Sequence, residues 1–293
     1  MSISACIFAR NEERLLPFCI GALDLAGLPA DARIHILVNG CTDDTALVAK
    51  TLAFADRRIA VHELPVGDKA SAWNDYVHRF AAPDDTCHIF LDGDIEASEG
   101  AVASLQHALQ GAPEAYAAAA LPAAGRSRRG WAKRLVANHY LSGNLYALSG
   151  RAIAAFRDAD LRLPFGAKGE DGLITYLLLT DLKGGRDDSH RERIVIADGA
   201  TFEFDPLQPS LRDAQIFRRR LRRYSERHFQ KQVLYRLLKE RGASAMPDTV
   251  YEIYTAQTLA ALRPRPDPVN FLIDRETLKR LRKGGATPPY QTA

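Results

Sequence analysis

Cys87-His88-Ile89-Phe90-Leu91-Asp92-Gly93-Asp94 is the stretch that decides how this chain is read. A short apolar run bounded by turn residues is the pattern of a buried strand. The two carboxylates, one residue apart, therefore lie just past its end, where the chain turns. From there both can aim oxygen at one hard cation, and such a cation can hold a diphosphate. In isolation Asp-Gly-Asp is also ordinary turn chemistry, so the reading depends on what surrounds it.

Working outward, strand and helix signals alternate at short range. Strands are expected at Ile3–Ala9, Arg33–Asn39, Ile59–Leu64 and 87–91, with helices over 12–26, 44–55 and 69–80. This alternation predicts an α/β protein with a mostly parallel sheet flanked by helices. Ligands of such sheets bind outside the carboxyl ends of the strands. Those ends, at 9–12, 39–43 and 92–94, are all polar and are expected along one rim. The stretch 116–204 is less regular. Beyond the prolines of Asp205-Pro206 and Gln208-Pro209 the pattern becomes that of long helices. Gln215 to Arg241 has apolar residues at helical intervals among many arginines. The expected division is a sheet domain over 1–205 and a helical C-terminal extension over 206–293. Its end, Gly284-Gly285-Ala286-Thr287-Pro288-Pro289, is expected to fray.

The bulk numbers narrow the function. The 293 residues are 46% hydrophobic, enough for a substantial core, and the net charge of +3 gives no field that argues for nucleic acid. Cys6, Cys19, Cys41 and Cys87 form no Cys-x-x-Cys pair, which favours reduced thiols. No stretch reaches the ~18 apolar residues of a membrane span; the nearest, from Ala115, is broken by Pro122. The first residues lack the basic start of a signal peptide, and their apolar run stops at Arg10-Asn11-Glu12. A cytoplasmic protein is expected, with peripheral contact to the inner face of the membrane as an option.

Read in order, the rim segments are Ile7-Phe8-Ala9-Arg10-Asn11-Glu12-Glu13, Val38-Asn39-Gly40-Cys41-Thr42-Asp43-Asp44-Thr45, Gly67-Asp68-Lys69-Ala70-Ser71-Ala72-Trp73-Asn74, Phe90-Leu91-Asp92-Gly93-Asp94 and Gly169-Glu170-Asp171-Gly172. This series resembles the family-2 glycosyltransferases of the GT-A fold over roughly residues 3–180. No one segment is decisive; five in order are specific.

The resemblance implies a role for each segment. Ala9, Asn11 and Glu12 would line the nucleotide pocket, with Ala9 and Glu12 flanking base and ribose. Asn39 replaces the family's usual uracil-binding aspartate, and Val38 replaces another frequent aspartate. An amide both accepts and donates, so a uridine diphosphate donor is expected and a guanosine diphosphate donor is its competitor. Thr42 to Thr45 reads as a helix start. Lys69 and Asn74 match a segment near the nucleotide, where lysine offsets diphosphate charge. Asp92 and Gly93 would meet the ribose or, through Asp92, the metal, and Asp94 would ligate the metal. Carboxylates with diphosphate oxygens suit Mn²⁺ or Mg²⁺ and not zinc.

Glu170-Asp171 would carry the chemistry, with Asp171 as general base in an inverting transfer to a hydroxyl acceptor, a glycan or glycolipid. Gly143 and Asn144, in Ser142 to Leu148, would lie on the sugar and acceptor side. Trp131, His139 and Tyr140 read as core residues more readily than as sugar-stacking ones. Gln215 to Arg219 partly resembles the Gln-x-x-Arg-Trp segment of membrane-embedded relatives, which puts Arg218 on the acceptor side. The tryptophan is absent, which favours single-sugar transfer.

Two other classes fit the sequence less well. A nucleotidyltransferase needs a glycine-rich loop after its first strand to cradle a triphosphate, and Ala9-Arg10-Asn11-Glu12 has no glycine. A non-catalytic module binding nucleic acid or membrane through the arginine-rich helix has no use for Asp92, Asp94 and Asp171.

Overall fold

Seven consecutive buried residues make β1 (Ile3–Ala9) a central strand. Cys6 and Phe8 join one core cluster while Ile3, Ala5, Ile7 and Ala9 join another, so both faces of the sheet are covered. The computed structural model describes residues 2–125, 127–186, 190–204 and 211–284, with side chains from 217 to 283 in the last segment. The Asp205-Pro206 and Gln208-Pro209 break, the expected boundary at 205/206, the side chain of Gln215 and the tail from Gly285 lie outside the described residues.

The remaining strands are β2 (Arg33–Asn39), β3 (Ile59–Leu64), β4 (Cys87–Asp92), β5 (Ile95–Ala97), β6 (Ala117–Pro122), β7 (Leu145–Ser149) and β8 (Ile194–Phe204). They form one sheet in the order β3-β2-β1-β4-β7-β6-β8-β5. Neighbours among β1 to β4 are parallel, as are β6 and β8. The pairs β4–β7, β6–β7 and β5–β8 are antiparallel. The sheet is thus α/β and mostly parallel, as expected, with β6 to β8 resolved from the stretch 116–204 that reads as irregular and β5 added just after the turn at 92–94. β7 runs against β4 with Leu145 opposite Leu91. The turn before β7 therefore lies at the same rim as the ends of β1, β2 and β4.

The first helix is Leu16–Leu25, four residues later than the expected start at Glu12. Asn11 takes a left-handed φ of 59°, which only glycine and short polar residues adopt readily, and the chain makes a turn before the helix settles. The third expected helix holds as Lys69–Asp75 and widens into a π-helical turn, Tyr76–Phe80. Asp68 caps it, accepting from Ser71 N at 2.9 Å. Beneath it Trp73 Nε1 donates to Tyr146 Oη at 3.1 Å, and Tyr146 stacks on Phe90 of β4.

The arginine-rich helix Leu211–Gln230 passes through a second π-helical turn, Lys231–Tyr235, into Arg236–Arg241. Phe229, Val233, Leu234 and Leu238 join the same cluster as Trp73, Leu173 and Leu177, so these C-terminal helices share a core with the sheet. Among the described residues no helix is long and apolar enough to cross a membrane. All four cysteines are free.

Candidate active site

Lys69, at the first turn of its helix, is the residue around which the rim is organised. Its ammonium meets Asp92 Oδ1 at 2.5 Å and Glu170 Oε1 at 3.0 Å, and donates to Gly143 O at 2.9 Å. An ammonium has three protons, and three acceptors take them. Four separate chain segments are thereby tied together: the helix after Gly67, the end of β4, the turn before β7 and the start of helix Glu170–Leu179. Gly143 is small for a reason, since a Cβ there would stand 3.2 Å from Glu170 Oε1, 3.3 Å from Asp171 Cβ and 3.4 Å from Lys69 Nζ. The sequence expectation that Lys69 offsets diphosphate charge meets a lysine already engaged with protein carboxylates.

Backbone contacts fix the strand-end acids. Gly93 N donates to Phe8 O at 2.9 Å and Asp92 N to Asn144 O at 3.1 Å. A Cβ on Gly93 would lie 3.3 Å from Ala9 Cα, which explains the glycine between the two acids. Asp94, partly buried on the turn into β5, makes no ion pair among the described residues. Asn11 is a staple between loops: its Oδ1 accepts from Thr42 N at 2.9 Å and its Nδ2 donates to Thr42 Oγ1 at 3.2 Å. Glu12 N donates to Thr45 Oγ1 at 2.8 Å, and Asp43 Oδ1 accepts from Thr45 N at 3.1 Å, bracing the turn into helix Thr45–Ala55, whose N-cap Asp44 makes no side-chain capping bond.

The carboxylates on this rim exceed the cations beside them. Burial, together with the charges of Asp94, Asp92 and Asp43, pushes the Glu12 carboxyl up to about 8. Burial also pushes Asp92 up to about 7, with Asp94 adding to the shift and Lys69 opposing it. For Lys69 burial acts to lower the pKa, but Asp92 and Glu170 outweigh it and hold the ammonium well above its ordinary range. Glu170 is held low by Lys69 against the effect of burial. One ammonium is shared by Asp92 and Glu170, while Asp94 and Glu12 make no ion pair among the described residues, so the rim has carboxylate charge left over for a hard cation. Among the described residues no group of three or more acid, histidine or cysteine side chains is arranged to hold a metal. The fit is to a cation shared between one or two carboxylates and substrate oxygens, and not to a closed protein cage.

Glu170 and Asp171 form the first turn of helix Glu170–Leu179, where carboxylates are favoured by the helix dipole. Asp171 Oδ1 accepts from Arg227 Nη2 at 3.0 Å, leaving its second oxygen without a protein partner among the described residues. Gly169 precedes the pair with φ of 80°, and a Cβ there would overlap the Arg227 guanidinium. The glycine thus serves both the backbone turn and the close approach of the arginine.

Residues 4–163 match Glycosyl transferase family 2. The chain belongs to this family. It is a glycosyltransferase. Its fold is that of solved relatives. PcManGT, a mannosyltransferase from Pyrobaculum calidifontis in complex with GDP-Man and Mn²⁺, aligns with a TM-score of 0.59 at 16% identity over 99% of this chain and 77% of that one. The 1–349 portion of S. aureus TarS, in complex with UDP-GlcNAc, aligns with a TM-score of 0.53 at 12% identity over 97% of this chain and 92% of that one. At these identities the likeness is one of fold. No curated protein matches this chain. The family match ends before Glu170, so that pair stands on its geometry in this glycosyltransferase.

The structure brings Ala9, Asn11, Glu12, Asn39, Lys69, Asp92, Gly93, Asp94, Gly143, Asn144, Glu170 and Asp171 to one end of the sheet. It gives some of them other partners. Asn74 exchanges two hydrogen bonds with the backbone of Leu163, both at 2.8 Å, and so clamps a loop. Asn39 Oδ1 accepts from Asp68 N at 3.0 Å. Asn144 Oδ1 accepts from Ser142 Oγ within its own turn. Arg218 is exposed and makes no ion pair among the described residues. On the same helix Arg222 pairs with Glu276, while Arg220 is partly buried and its charge acts on Glu12. Of the aromatic residues, Trp131 packs edge-on against Phe202 and His139 bonds Ile194 O, while Tyr140 is exposed. Sequence reading passed over Arg227 and Asp68. Arg227 lies seven residues after Arg220, two helical turns on the same face, which is the signal that marks it.

Proposed function

We propose that this glycosyltransferase moves a sugar from a nucleoside diphosphate sugar, uridine-linked, to a hydroxyl acceptor with inversion at the anomeric carbon. The observation that carries the reading is the convergence on Lys69 of the end of β4, the turn before β7 and the start of helix Glu170–Leu179. It sets Asp92 and Asp94 beside Glu170 and Asp171 on a single rim.

Asp94, with Asp92, is the pair to hold Mn²⁺ or Mg²⁺. Bound there with the donor, the cation supplies charge stabilisation for the departing diphosphate. Asp171 takes the proton from the acceptor hydroxyl through the oxygen that Arg227 leaves free, and Arg227 fixes the carboxylate's orientation. The acceptor oxygen then attacks the anomeric carbon from the face opposite the nucleotide. Lys69 holds Glu170 and Asp92 in place, keeps the Glu170 pKa low and opposes the rise that burial gives Asp92. Asn39 offers the base its amide donor, because the Asp68 N–H already occupies the amide oxygen. The segments before and after the Asp205-Pro206 break read as a sheet domain and a helical extension that closes over its acceptor side. The protein is read as cytoplasmic, with the acceptor a glycan or glycolipid.

The test is a panel of nucleotide sugars incubated with the protein and Mn²⁺. Release of nucleoside diphosphate from at least one of them is expected. Absence of binding and of turnover for every nucleotide sugar would overturn the reading.

A further inference from the structure

Gly172 follows Asp171, and a carbon at its Cβ position would find three polar groups from one helical segment within 4 Å: Arg227 Nη2 at 3.0 Å, Tyr235 Oη at 3.2 Å and Lys231 Nζ at 3.8 Å. Residues 227, 231 and 235 are spaced by four, so they lie along one helix face. The face is presented where the helix widens into its π-helical turn. Lys231 makes no ion pair among the described residues, and the buried Tyr235 hydroxyl has no hydrogen-bond partner there. Two cations thus stand together beside one carboxylate with an idle hydroxyl next to them: Arg227 is paired with Asp171, and the exposed Lys231 can be reached from solvent. Lys231 and Tyr235 also line an open depression of about 490 Å³ together with Arg186, Gln232, Arg236, Lys239 and Glu240.

Donor binding as proposed above uses none of these groups. We infer that the cluster is an anion subsite for the acceptor: a phosphate monoester on the acceptor sits between Arg227, Lys231 and Tyr235 while a hydroxyl of the same molecule reaches Asp171. A phosphate offers three oxygens to three donors, and charge-assisted bonds of this kind are the strong ones. Arg227 has five N–H groups, so it can keep Asp171 with one edge and meet the phosphate with another. The inference rests on Asp171 as the acceptor-side base, and it names the acceptor's chemical class.

Inorganic phosphate is titrated calorimetrically into protein saturated with nucleoside diphosphate and Mg²⁺, so that the donor site is already filled. Saturable binding is expected. Lys231→Met should weaken it about tenfold or more. Tyr235→Phe removes only an unpartnered hydroxyl, and should weaken it a few-fold with the melting temperature unchanged. No saturable binding by the wild type, or binding that both variants leave intact, overturns the subsite. If the nucleoside diphosphate itself fails to bind, the donor reading falls, and the subsite is judged by phosphate titration of the nucleotide-free protein. Two further arms separate the sources of phosphate. Competition by glycerol 3-phosphate assigns a soluble phosphorylated acceptor. Sedimentation with phosphatidylcholine vesicles containing phosphatidic acid, lost in Lys231→Met, assigns a lipid-borne one. Failure of both arms overturns the acceptor assignment.

Discussion

On the donor side of the rim the acids are placed mainly by backbone, with Lys69 added on Asp92, and on the acceptor side they are held by side chains reaching in from distant elements. Asp92 and Asp94 take their positions from the pairing of β4 with β1 and β7 and from the Gly93 N–H to Phe8 O bond. Glu170 and Asp171 are oriented by one lysine and one arginine, from sequence positions 69 and 227. A site built on backbone hydrogen bonds survives the exchange of a side chain with its geometry intact. A site built on ion pairs changes shape when either partner goes, because the remaining charge is left uncompensated. The donor side should therefore lose chemistry without losing structure, and the acceptor side should lose both.

The largest effect is expected at the two carboxylates that define the sides. Asp171→Asn should lower kcat by about 10²–10⁴-fold, the range for a positioned base, with nucleoside diphosphate affinity little changed. A product that keeps the donor's anomeric configuration would remove Asp171 from this role. Asp94→Asn should cost turnover by about 10²-fold or more, since a charge-stabilising cation contributes several kcal/mol. Its melting temperature should stay near wild type, as Asp94 has no ion pair to break among the described residues. Excess chelator added to the wild type should produce the same loss. Full activity in chelator would take the cation out of the mechanism.

How much of this was legible before the structure follows the same division. The strands Ile3–Ala9 and Arg33–Asn39 fall where their apolar runs place them, because parallel central strands are buried on both faces and read as continuous hydrophobic segments. Ile59–Leu64 also falls where expected, although it is the edge strand and only Ile59 of it is buried. The donor-side acids Asp92 and Asp94 follow from the end of a further apolar run, the strand Cys87–Asp92. The acceptor side is set by contacts 56 to 101 residues apart in the chain, such as Asp171 with Arg227 and Lys69 with Glu170. No local period encodes such contacts. β6 was hidden for another reason: Ala117 to Ala120 are small residues that pack closely on β7 and β8 and carry a weak strand signal. Asn74 matched a family segment by position, yet the structure gives its side chain to Leu163.

The next effect tests the asymmetry directly through stability. Lys69→Met leaves Asp92 and Glu170 without their counter-charge. Removing one partner of a buried pair costs roughly 3–5 kcal/mol. With side-chain exposures of 23% for Lys69, 27% for Asp92 and 13% for Glu170, the lower end, about 3 kcal/mol, is expected. Urea unfolding should show it as a lower midpoint, and activity should fall along with stability. A midpoint equal to wild type would mean that the lysine does not organise the rim. A smaller effect is expected from Gly143→Ala, whose new methyl must displace the tips of Glu170 and Lys69 by a few tenths of an ångström. Both are ends of flexible side chains, so about 1 kcal/mol or less is expected. The kinetic change should be a several-fold rise in acceptor KM with donor KM unchanged. A donor-side change alone would place the turn on the wrong side of the comparison.

The smallest effect concerns the base, where the backbone-built side depends on a single side chain. Asp68 N is a donor, so the atom of Asn39 facing it at 3.0 Å is the amide oxygen, and the hydrogen bond itself fixes the orientation of the amide. What Asn39 has left for a base is its N–H₂ group, a donor suited to a uracil carbonyl or to guanine O6. Asn39→Asp keeps the acceptor that Asp68 needs and deletes that donor. Loss of one such bond is worth about 1 kcal/mol, or roughly five-fold in affinity. Calorimetric titration of UDP and GDP with Mn²⁺ on both proteins is the measurement. The wild type should bind UDP more tightly than GDP, and the variant should lose several-fold for UDP with its melting temperature near that of the wild type. Tighter binding of GDP by the wild type would reassign the base to guanine while leaving the amide donor in place. Unchanged affinities in the variant would remove Asn39 from base recognition and leave it the loop contact with Asp68.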